Sequence, residues 1–343
     1  MRILVCEAHV PFIYGGAERH VDRLVVELRR QGCDAQKVSI PFKWYPKAEL
    51  LTQAAVWRLL DLSEFNSAPV DLVIATKFPT YFVRHPRKVT WLFHQYRAIY
   101  DLAGTPFSEF THEERDVALR KRLIDLDTEV LAESTRLFSN SRNTAARLEK
   151  YNGLSATPLY HPPPLAEHLV AGPFGDYVLS VGRLELTKRV DLVVRALART
   201  DRSVRLVIVG GGSQRPQLEA LAGELGVAAR VSFAGEVDDE QLAELYANAL
   251  AVAFAPFDED YGYITLEAFL ARKPVVTSRD AGGPLEFVED GVNGFVIAPD
   301  ADAMADRIAQ LAADRALARR LGDAGFQRAA AVTWDGVVEQ LVG

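Results

Sequence analysis

Several features that define whole classes of protein are scarce or missing in this sequence. Its 343 residues include only two cysteines, Cys6 and Cys33, and no CxxC pair, so neither a disulfide framework nor a zinc site is indicated. No run of about 18 apolar residues occurs, and the start lacks the apolar segment and cleavage site of a signal peptide, so we expect no membrane-spanning helix. The formal net charge of -7 argues against general nucleic-acid binding. The default expectation is a cytoplasmic, soluble enzyme.

What the sequence does contain is a regular alternation of short apolar runs and amphipathic helical patterns. Because the apolar runs are continuous and rich in β-branched residues, both faces of each strand should be covered, which favours an α/β fold with parallel sheets. The predicted strands are Arg2–Cys6, Asp71–Ala75, Val89–Phe93, Arg136–Ser139, Tyr177–Val181, Val204–Val209, Arg230–Phe233, Ala249–Ala255 and Pro274–Thr277. The predicted helices are Ala17–Gln31, Glu113–Glu133, Thr144–Lys150, Gln214–Leu225, Glu240–Ala249 and Trp334–Leu341.

The segment Tyr160–Gly175 is the best candidate for a linker, because its three consecutive prolines cannot continue a helix or a central strand. A chain of 343 residues is also longer than one hydrophobic core usually serves. We therefore expect two Rossmann-like domains, residues 1–165 and 166–326, with parallel sheets that face a central cleft. Residues 327–343 would form a C-terminal helix that could pack back on the N-terminal domain.

Ligands of open parallel sheets bind at the carboxyl ends of the strands, so the residues that follow each strand are the first candidates for a site. After the first strand, Gly15 and Gly16 precede a helix whose N-terminus could bind an anion, although a simple strand-to-helix turn also explains them. The sequence has no GxGxxG fingerprint of a dinucleotide site. After Tyr177–Val181, Arg183 and Lys188 could clamp a diphosphate, and two solvated surface cations are the alternative.

The loop that follows Arg230–Phe233 contains Gly235, Val237 and Asp239. It could border a nucleotide base, because the carboxylate of Asp239 could accept the two adjacent N–H donors of guanine, whereas uracil offers only one. Helix capping is the more common role of an Asp in front of a helical run, and it is the alternative for Asp239. A further glycine-rich turn, Gly210–Gly212, follows the preceding strand.

The most informative stretch is FDEDYGYITLEAFLARKPVV, residues 257–276. Two of its carboxylates, Glu259 and Glu267, are separated by seven residues. Glu259 falls in the loop after a strand and Glu267 on the helix that follows, while Gly262 frees backbone N–H groups near the start of that helix. Both acids could accept hydrogen bonds from the hydroxyls of sugars and riboses. The alternative is a pair of solvated acids that the helix macrodipole favours.

Four motifs, in this order and at these strand ends, together resemble glycosyltransferase family 4, whose members are retaining enzymes with the GT-B fold. They are GGAER near the start, VGRLELTKR in the middle, the E-x7-E pattern from Glu259 to Glu267, and AGGPLEFVEDGVNGFVI after the last core strand. The resemblance covers nearly the whole chain. It implies an N-terminal acceptor-binding domain and a C-terminal domain that binds a nucleotide sugar, and it implies no metal or other cofactor.

The resemblance also assigns roles to single residues of the C-terminal half. Glu259 would hold hydroxyls of the donor sugar, and Glu267 would bind the ribose of the nucleotide. Arg183 and Lys188 would neutralise the diphosphate leaving group. Four consecutive residues would contact the sugar and phosphates through their backbone N–H groups: Tyr261, Gly262, Tyr263 and Ile264.

In the N-terminal half, the resemblance implies that Gly15 and Gly16 let a loop close against the phosphates and the sugar. His94, in WLFHQYR, matches a histidine that such enzymes place near the transferred sugar. Without the resemblance, a histidine at the edge of the core is the favoured interpretation of His94.

The sequence departs from the family pattern at two positions. Tyr261 stands where phenylalanine is more common, and Tyr263 is bulkier than the usual leucine or isoleucine, which leaves the shape of the donor-sugar pocket open. The DED at Asp258–Asp260 formally fits the metal-binding DxD of the other glycosyltransferase fold. The surrounding helix fits E-x7-E instead, so we expect no metal there.

The predicted reaction moves a hexose from a nucleotide diphosphate sugar to a hydroxyl of a glycan or lipid-linked acceptor, in polysaccharide or O-antigen synthesis. A GDP-sugar is slightly favoured over a UDP-sugar because of Asp239. The stretches Pro41–Lys47 and Arg84–Lys88 could touch the inner face of a membrane, and ordinary exposed loops are the alternative. Two other functions stay open: an epimerase that uses His94 and Glu259 as acid and base, and a non-catalytic nucleotide-sugar-binding protein.

Overall fold

The computed structural model describes residues 1–12 and 15–343 of the chain. Residue contacts divide the chain into two compact units. Unit 1 comprises Met1–Pro164 and Thr333–Gly343, and unit 2 comprises Leu165–Val332. Among the helices in the described ranges, none combines the length and the hydropathy that crossing a bilayer demands.

Unit 1 is built on one sheet with helices around it. Its strands are β1 (Arg2–His9), β2 (Asp34–Pro41), β3 (Glu64–Phe65), β4 (Ala68–Pro69), β5 (Leu72–Ala75), β6 (Lys88–Leu92), β7 (Arg136–Ser139) and β8 (Thr157–Pro158). Its helices are α1 (Gly16–Arg30), α2 (Glu49–Leu59), α3 (Glu114–Ala132), α4 (Arg142–Asn152) and, from the end of the chain, α11 (Trp334–Val342). Six strands pair in parallel in the order β2-β1-β5-β6-β7-β8, while β3 and β4 form a separate antiparallel ribbon.

Unit 2 repeats this plan. Its strands are β9 (Tyr177–Val181), β10 (Arg205–Val209), β11 (Val231–Gly235), β12 (Ala251–Ala253), β13 (Val275–Ser278) and β14 (Gly294–Ile297). Its helices are α5 (Val190–Leu197), α6 (Arg215–Glu224), α7 (Asp239–Asn248), α8 (Tyr263–Leu270), α9 (Ala301–Ala313) and α10 (Arg315–Ala330). The strands are all parallel and lie in the order β11-β10-β9-β12-β13-β14. Counted within the unit this is 3-2-1-4-5-6, the strand order of the Rossmann fold.

The predicted α/β fold with parallel sheets is confirmed, and each predicted strand is present. The central strands β6 and β13 are buried along their whole length, as expected where helices cover both faces of a sheet. On α1 the predicted apolar face, Val21, Leu24, Val25 and Leu28, is buried in the core of unit 1. Burying such side chains contributes about 1.5–3 kcal/mol each, which holds the helix against the sheet.

The elements that the sequence patterns did not predict carry weak signals. Strand β2 is the edge of its sheet, and only Ala35 in it is fully buried, so its residues show no continuous apolar run. Helix α2 leaves Val56 and Leu59 exposed, so its apolar residues are not confined to one face. In both segments, contacts with the rest of the sheet or with neighbouring helices determine the conformation.

Asp239 does not cap α7, so the capping role that was the alternative for this residue is wrong. The cap is Asp238, which has extended backbone and whose carboxylate accepts the N–H of Gln241 at 2.8 Å. The amide oxygen of Gln241 accepts the Asp238 N–H in return, at 3.3 Å. This reciprocal capping box requires a spacing of three residues, which Asp238 has with Gln241 and Asp239 does not. Asp239 is instead the first residue of the helix.

Two histidines are buried in an aromatic cluster of unit 1 with Trp91, Phe93 and Trp334. The ring of His20 lies 4.0 Å from that of His161 and 3.9 Å from that of Phe93, between ring centroids. Burial lowers the pKa of His161 to about 3, and it lowers the pKa of His20 well below its usual value. Both rings are therefore neutral in the folded protein at neutral pH.

A carboxylic acid is buried on the other side of the same sheet. The hydroxyl of Tyr100 donates to Oδ2 of Asp127 at 2.6 Å, and both side chains are buried. Burial raises the pKa of Asp127 to about 7, although this hydrogen bond favours the carboxylate. The protonation of Asp127 is therefore coupled to the folding of unit 1.

The basic stretch Arg84–Lys88 is not a continuous surface patch, and its contact with a membrane stays a prediction. Lys88 is buried, and its Nζ donates to the carbonyls of Tyr81 at 2.9 Å and Val130 at 2.7 Å, while burial lowers its pKa to about 8. The stretch also precedes the amino end of β6, whereas Pro41–Lys47 follows the carboxyl end of β2. Since the strands are parallel, the two stretches lie at opposite edges of the sheet.

Candidate functional site

The strand order of unit 2 locates the candidate site. The chain moves outward in one direction from β9 to β11 and in the other direction from β12 to β14. Ligands of such sheets bind outside the carboxyl ends of the strands at the point of reversal, here between β9 and β12. The loop after β9 carries Arg183 and Lys188, and the loop after β12 carries Glu259.

Lys188 and Glu259 meet at this point although 71 positions separate them in the sequence. The Nζ of Lys188 donates to Oε2 of Glu259, and the two side chains are 15% and 23% exposed. The Nζ of Lys188 also lies 5.9 Å from the ring centroid of Phe254. Arg183 is exposed at the end of the same strand. The structure thus brings three of the predicted charged residues to one pair of strand ends.

Backbone hydrogen bonds hold the Glu259 segment to the loop that follows β13. The N–H of Asp258 donates to the carbonyl of Asp280 at 2.8 Å, and that of Glu259 donates to the carbonyl of Ala281 at 2.8 Å. The N–H of Gly283 returns a hydrogen bond of 2.7 Å to the carbonyl of Glu259. The segment is therefore an extra length of parallel pairing beyond the sheet, which fixes the direction of the Glu259 side chain.

Helix α8 begins directly after this segment, at Tyr263, and Gly262 is its N-cap. Gly262 has φ +83°, and an added Cβ would lie 2.9 Å from Cγ of Pro284 and 3.1 Å from Cε1 of Phe254. Only glycine fits this turn, because it adopts the left-handed conformation without strain and has no side chain to collide. The residues that follow, Tyr263 and Ile264, are the first of α8, where backbone N–H groups have no acceptor within the helix.

Glu267 lies one turn further into α8 and is only 8% exposed. The hydroxyl of Tyr246 on α7 donates to its Oε2 at 2.7 Å. Burial, together with the neighbouring Glu267, raises the pKa of Tyr246 well above its usual value, so the phenol keeps the proton that it donates. Tyr246 was not among the predicted site residues, because a tyrosine at helical spacing is usually a core residue.

Glycines at the carboxyl ends of β9, β10 and β11 let three neighbouring chain segments pack backbone against backbone. Gly182 donates its N–H to Val209 at 3.0 Å, and Gly210 donates its N–H to Gly235 at 2.7 Å. A Cβ on Gly210 would lie 2.2 Å from the carbonyl oxygen of Gly182. At the far end of this row Gly235 and Val237 are partly exposed, before the first turn of α7 with Asp239.

In unit 1 the predicted Gly15–Gly16 turn is held by a buried ion pair that the sequence did not reveal. The Nζ of Lys77 donates to Oε1 of Glu18 at 2.9 Å, and the N–H of Gly15 donates to Oε2 of Glu18 at 3.0 Å. Burial would raise the pKa of Glu18, but the charge and hydrogen bond of Lys77, together with backbone N–H groups of Glu18 and Gly15, outweigh burial and lower that pKa. The three-residue spacing from Gly15 to Glu18 is that of a capping box, which is the signal that could have identified Glu18.

His94 follows β6 at the carboxyl edge of the unit 1 sheet and is half-buried. Gly15 and Gly16 follow β1 at the same edge. The strand order of unit 1 reverses between β1 and β5, where Lys77 lies. The three predicted residues of unit 1 are therefore at the strand ends where a ligand of this sheet would bind.

Asp258 and Asp260, of the DED sequence, lie on either side of Glu259. Within residues 1–12 and 15–343, no three or more His, Cys, Asp or Glu side chains form a group that could hold a metal ion.

Comparison with known proteins gives one family for the region that contains the site. The family model described as glycosyl transferases group 1 matches residues 174–328. A D-inositol 3-phosphate glycosyltransferase from Nocardia farcinica is 32% identical over 241 residues, which cover 63% of this chain and 53% of that protein. The chain spans about half the length of the curated relatives that it matches.

Solved structures resemble the chain over almost its whole length. Sucrose-phosphate synthase from Thermosynechococcus elongatus has a TM-score of 0.81 at 19% identity, covering 99% of this chain and 97% of that one. HepE from Anabaena, in a complex with UDP and glucose, has a TM-score of 0.73 at 16% identity, covering 99% and 98%. At these identities the likeness shows the fold, which is GT-B as predicted. The region that contains the site, residues 174–328, belongs to the glycosyl transferases group 1 family.

Proposed function

We propose that this protein is a retaining glycosyltransferase that moves a hexose from a nucleotide diphosphate sugar to a hydroxyl of a glycan or lipid-linked acceptor. The observation that carries the proposal is the contact between Lys188 and Glu259 at the reversal point of the unit 2 sheet. It joins a cation suited to phosphate and a carboxylate suited to sugar hydroxyls at the place where a sheet of this kind binds ligands.

Lys188 and Arg183 would stabilise the leaving group. Departure of a nucleoside diphosphate builds negative charge on the phosphate oxygens, and cations already in place lower the free energy of that transition state. An ammonium has three N–H donors, so Lys188 can contact a phosphate while it keeps its hydrogen bond to Glu259. The N-terminus of α8, with Tyr261, Gly262, Tyr263 and Ile264, would add backbone N–H groups.

The two glutamates would hold the sugar and the ribose. Ionised carboxylates only accept hydrogen bonds, and a site built of such acceptors discriminates strongly for hydroxyl groups. Glu259 would contact hydroxyls of the transferred hexose beside Lys188. Glu267, with one oxygen fixed by Tyr246, would contact the ribose.

The loop with Gly235, Val237 and Asp239 would border the base of the nucleotide. The sequence interpretation favours a GDP-sugar slightly, because a carboxylate can accept two N–H donors of guanine. The structural neighbour HepE was solved with UDP. We therefore name both GDP-sugars and UDP-sugars as donors to be tested first.

Residues of unit 1 would serve the acceptor and the reacting face of the donor. Gly15, Gly16 and His94 are the candidates near the transferred sugar. Retention would follow a front-side route in which a leaving phosphate oxygen helps to deprotonate the acceptor hydroxyl. A lipid-linked acceptor would bring Pro41–Lys47 to the membrane surface, since Tyr45 in it is exposed and the Nζ of Lys43 lies 5.0 Å from its ring centroid. Polysaccharide or O-antigen synthesis is the proposed context.

A thermal-shift panel of UDP, GDP, ADP and their sugars tests the nucleotide site. A nucleotide at a hundred times its dissociation constant should stabilise the folded protein by about 2.7 kcal/mol. We expect a shift with one base, a smaller shift in Lys188→Ala, and an unchanged shift in Arg195→Ala, whose side chain on α5 is half-exposed and lies near Asp191. No shift with any of these nucleotides would contradict the proposal.

Incubation of the protein with the donor alone separates the rival functions. Formation of an epimerised nucleotide sugar without an acceptor would support the epimerase instead. Nucleotide binding without turnover, unaffected in Glu259→Gln, would support a non-catalytic binding protein. Transfer to an acceptor with retained anomeric configuration, seen by NMR, is the result that we expect.

A further inference from the structure

Two non-glycine residues with left-handed backbone flank the Lys188–Glu259 pair. Arg189 has φ +48° and directly follows Lys188, and Asp258 has φ +46° and directly precedes Glu259. This conformation is strained for a residue that carries a side chain, because its Cβ comes too close to the following carbonyl oxygen. Backbone strain of this kind persists where surrounding contacts hold it, and it clusters at functional sites.

The side chain of Arg189 supplies such contacts. Its Nε donates to the carbonyl of Ala255 at 2.9 Å, and its Nη2 donates to the carbonyl of Pro256 at 2.6 Å and to Oγ of Ser278 at 2.9 Å. Its Nη1 and Nη2 also grip the two carboxylate oxygens of Asp280, each at 2.8 Å. The guanidinium, 18% exposed, therefore ties the loop after β9 to the loops after β12 and β13.

These three loops are the ones that set the distance between Lys188 and Glu259. Lys188 is the residue before Arg189 on the first loop. Glu259 lies three residues beyond Pro256 on the second loop, and its segment pairs with Asp280 and Ala281 on the third. A hydrogen bond of 2.7 Å from the N–H of Phe257 to the carbonyl of Thr187 also joins the first loop to the second.

We propose that Arg189 is a positioning residue, which clamps three strand-end loops so that Lys188 stays against Glu259. The planar guanidinium makes this clamp, because it presents five N–H donors in a fixed fork that matches the carboxylate of Asp280 and the carbonyls beside it. The inference rests on the proposed function for its catalytic meaning. The geometry of the pair can be tested without any activity.

The reactivity of the Lys188 amine reports whether the pair is held. Brief acylation with an N-hydroxysuccinimide ester, followed by peptide mass spectrometry, gives the rate for each lysine. Exposed Lys121 serves as the internal standard and buried Lys273 as the reporter of unfolding in unit 2. Glu259→Gln should raise the rate at Lys188 roughly five-fold, the factor that corresponds to ~1 kcal/mol, the upper value for a solvent-accessible ion pair.

Arg189→Ala should raise the rate at Lys188 to a similar extent, with Lys273 still unreactive. Arg195→Ala, on the neighbouring helix, should leave it unchanged. Arg189→Lys should give an intermediate rate, because a lysine keeps the charge and loses the fork. Asp280→Asn should give a small rise, since it keeps one acceptor oxygen. If Arg189→Ala does not fold, the rates at Lys188 in Arg189→Lys and Asp280→Asn test the same inference.

An unchanged rate at Lys188 in the Arg189 variants overturns the inference. An equal rise at Lys188 and Lys273 also overturns it, because Arg189 would then be a purely structural residue. Nucleoside diphosphate binding adds a coupled test: Arg189→Ala should weaken it in the wild-type background and change it less than about two-fold in Lys188→Ala. Absence of nucleotide binding in the wild type would defeat the proposed function, while the acylation rates still decide the role of Arg189.

Discussion

Replacing Gly262 by alanine tests whether the turn before α8 needs glycine for both of the reasons that the structure indicates. The new Cβ would require a left-handed conformation, which costs about 1–2 kcal/mol. It would also lie 2.9 Å from Cγ of Pro284 and 3.1 Å from Cε1 of Phe254. Both distances are well below the ~3.5–4.0 Å of normal carbon contacts, and overpacking of this kind costs about 1–3 kcal/mol. We expect Gly262→Ala to lower the free energy of unfolding of unit 2 by about 2–5 kcal/mol.

Substitutions at two other glycines of unit 2 separate the conformational cost from the steric cost. Gly226 has φ +69° and nothing within 4 Å of an added Cβ, so Gly226→Ala should show the conformational cost alone, about 1–2 kcal/mol. Gly223 lies in α6 with open space around it, so Gly223→Ala should stabilise the protein by about 0.5–1 kcal/mol.

Urea unfolding followed by circular dichroism measures all three variants against the wild type. Nucleotide affinity by calorimetry should fall in Gly262→Ala and stay unchanged in the other two, because only Gly262 sets the start of α8. Equal destabilisation of Gly262→Ala and Gly226→Ala would refute the steric part of the reasoning. Wild-type nucleotide affinity in Gly262→Ala would refute the role of this turn in binding.

Three further variants test buried groups. Tyr246→Phe removes the hydroxyl that donates a hydrogen bond to Glu267, so we expect the free energy of unfolding to fall by about 1–3 kcal/mol. Nucleotide binding measured by calorimetry should also weaken, and an unchanged affinity would contradict the role of Glu267. The folded-state pKa of Asp127, about 7, lies above its ordinary value, so its stabilising contribution is full at low pH and is lost as pH rises towards 7. Asp127→Asn should therefore gain stability over the wild type between about pH 4 and 7, by at most ~1.4 kcal/mol per pH unit in urea titrations, and a constant difference would exclude this coupling. His161 has a folded-state pKa of about 3, below its ordinary value, so its contribution is present above about pH 6.5 and is lost as pH falls. His161→Phe should show a flatter loss of stability between pH 6.5 and 4 than the wild type, and parallel curves would contradict burial of the neutral ring.

The strands could be predicted because burial on both faces leaves a direct trace in the sequence. In β6 and β13 every residue is buried, and strands covered on both faces favour apolar and β-branched residues such as Val89, Val275 and Val276. Strand β2 lies at an edge, and the apolar residues of α2 are not confined to one face of the helix, so neither segment shows a period that distinguishes it. Their conformation depends on neighbours that are distant in the sequence.

The candidate site was predictable in its residue types and not in its contacts. Motifs at strand ends indicated Arg183, Lys188 and Glu259. The three-residue spacing from Gly15 to Glu18 is present in the sequence, but nothing local shows that Glu18 caps the helix and pairs with Lys77. Nothing in the local pattern marks Tyr246 as the partner of a glutamate on another helix. Lys88 shows the opposite error, since a lysine in a basic stretch gives no sign that it is buried against carbonyls.

By itself the sequence determined what each segment must do locally: which runs must be covered by helices, where glycine permits a close turn, and which ends of strands carry charge. Those properties depend on neighbours within a few positions, so they can be inferred from composition and spacing. Only the tertiary structure decided that Lys188 meets Glu259 and that Arg189 joins their loops, because the order of parallel strands in a sheet brings together residues about 70 or more positions apart.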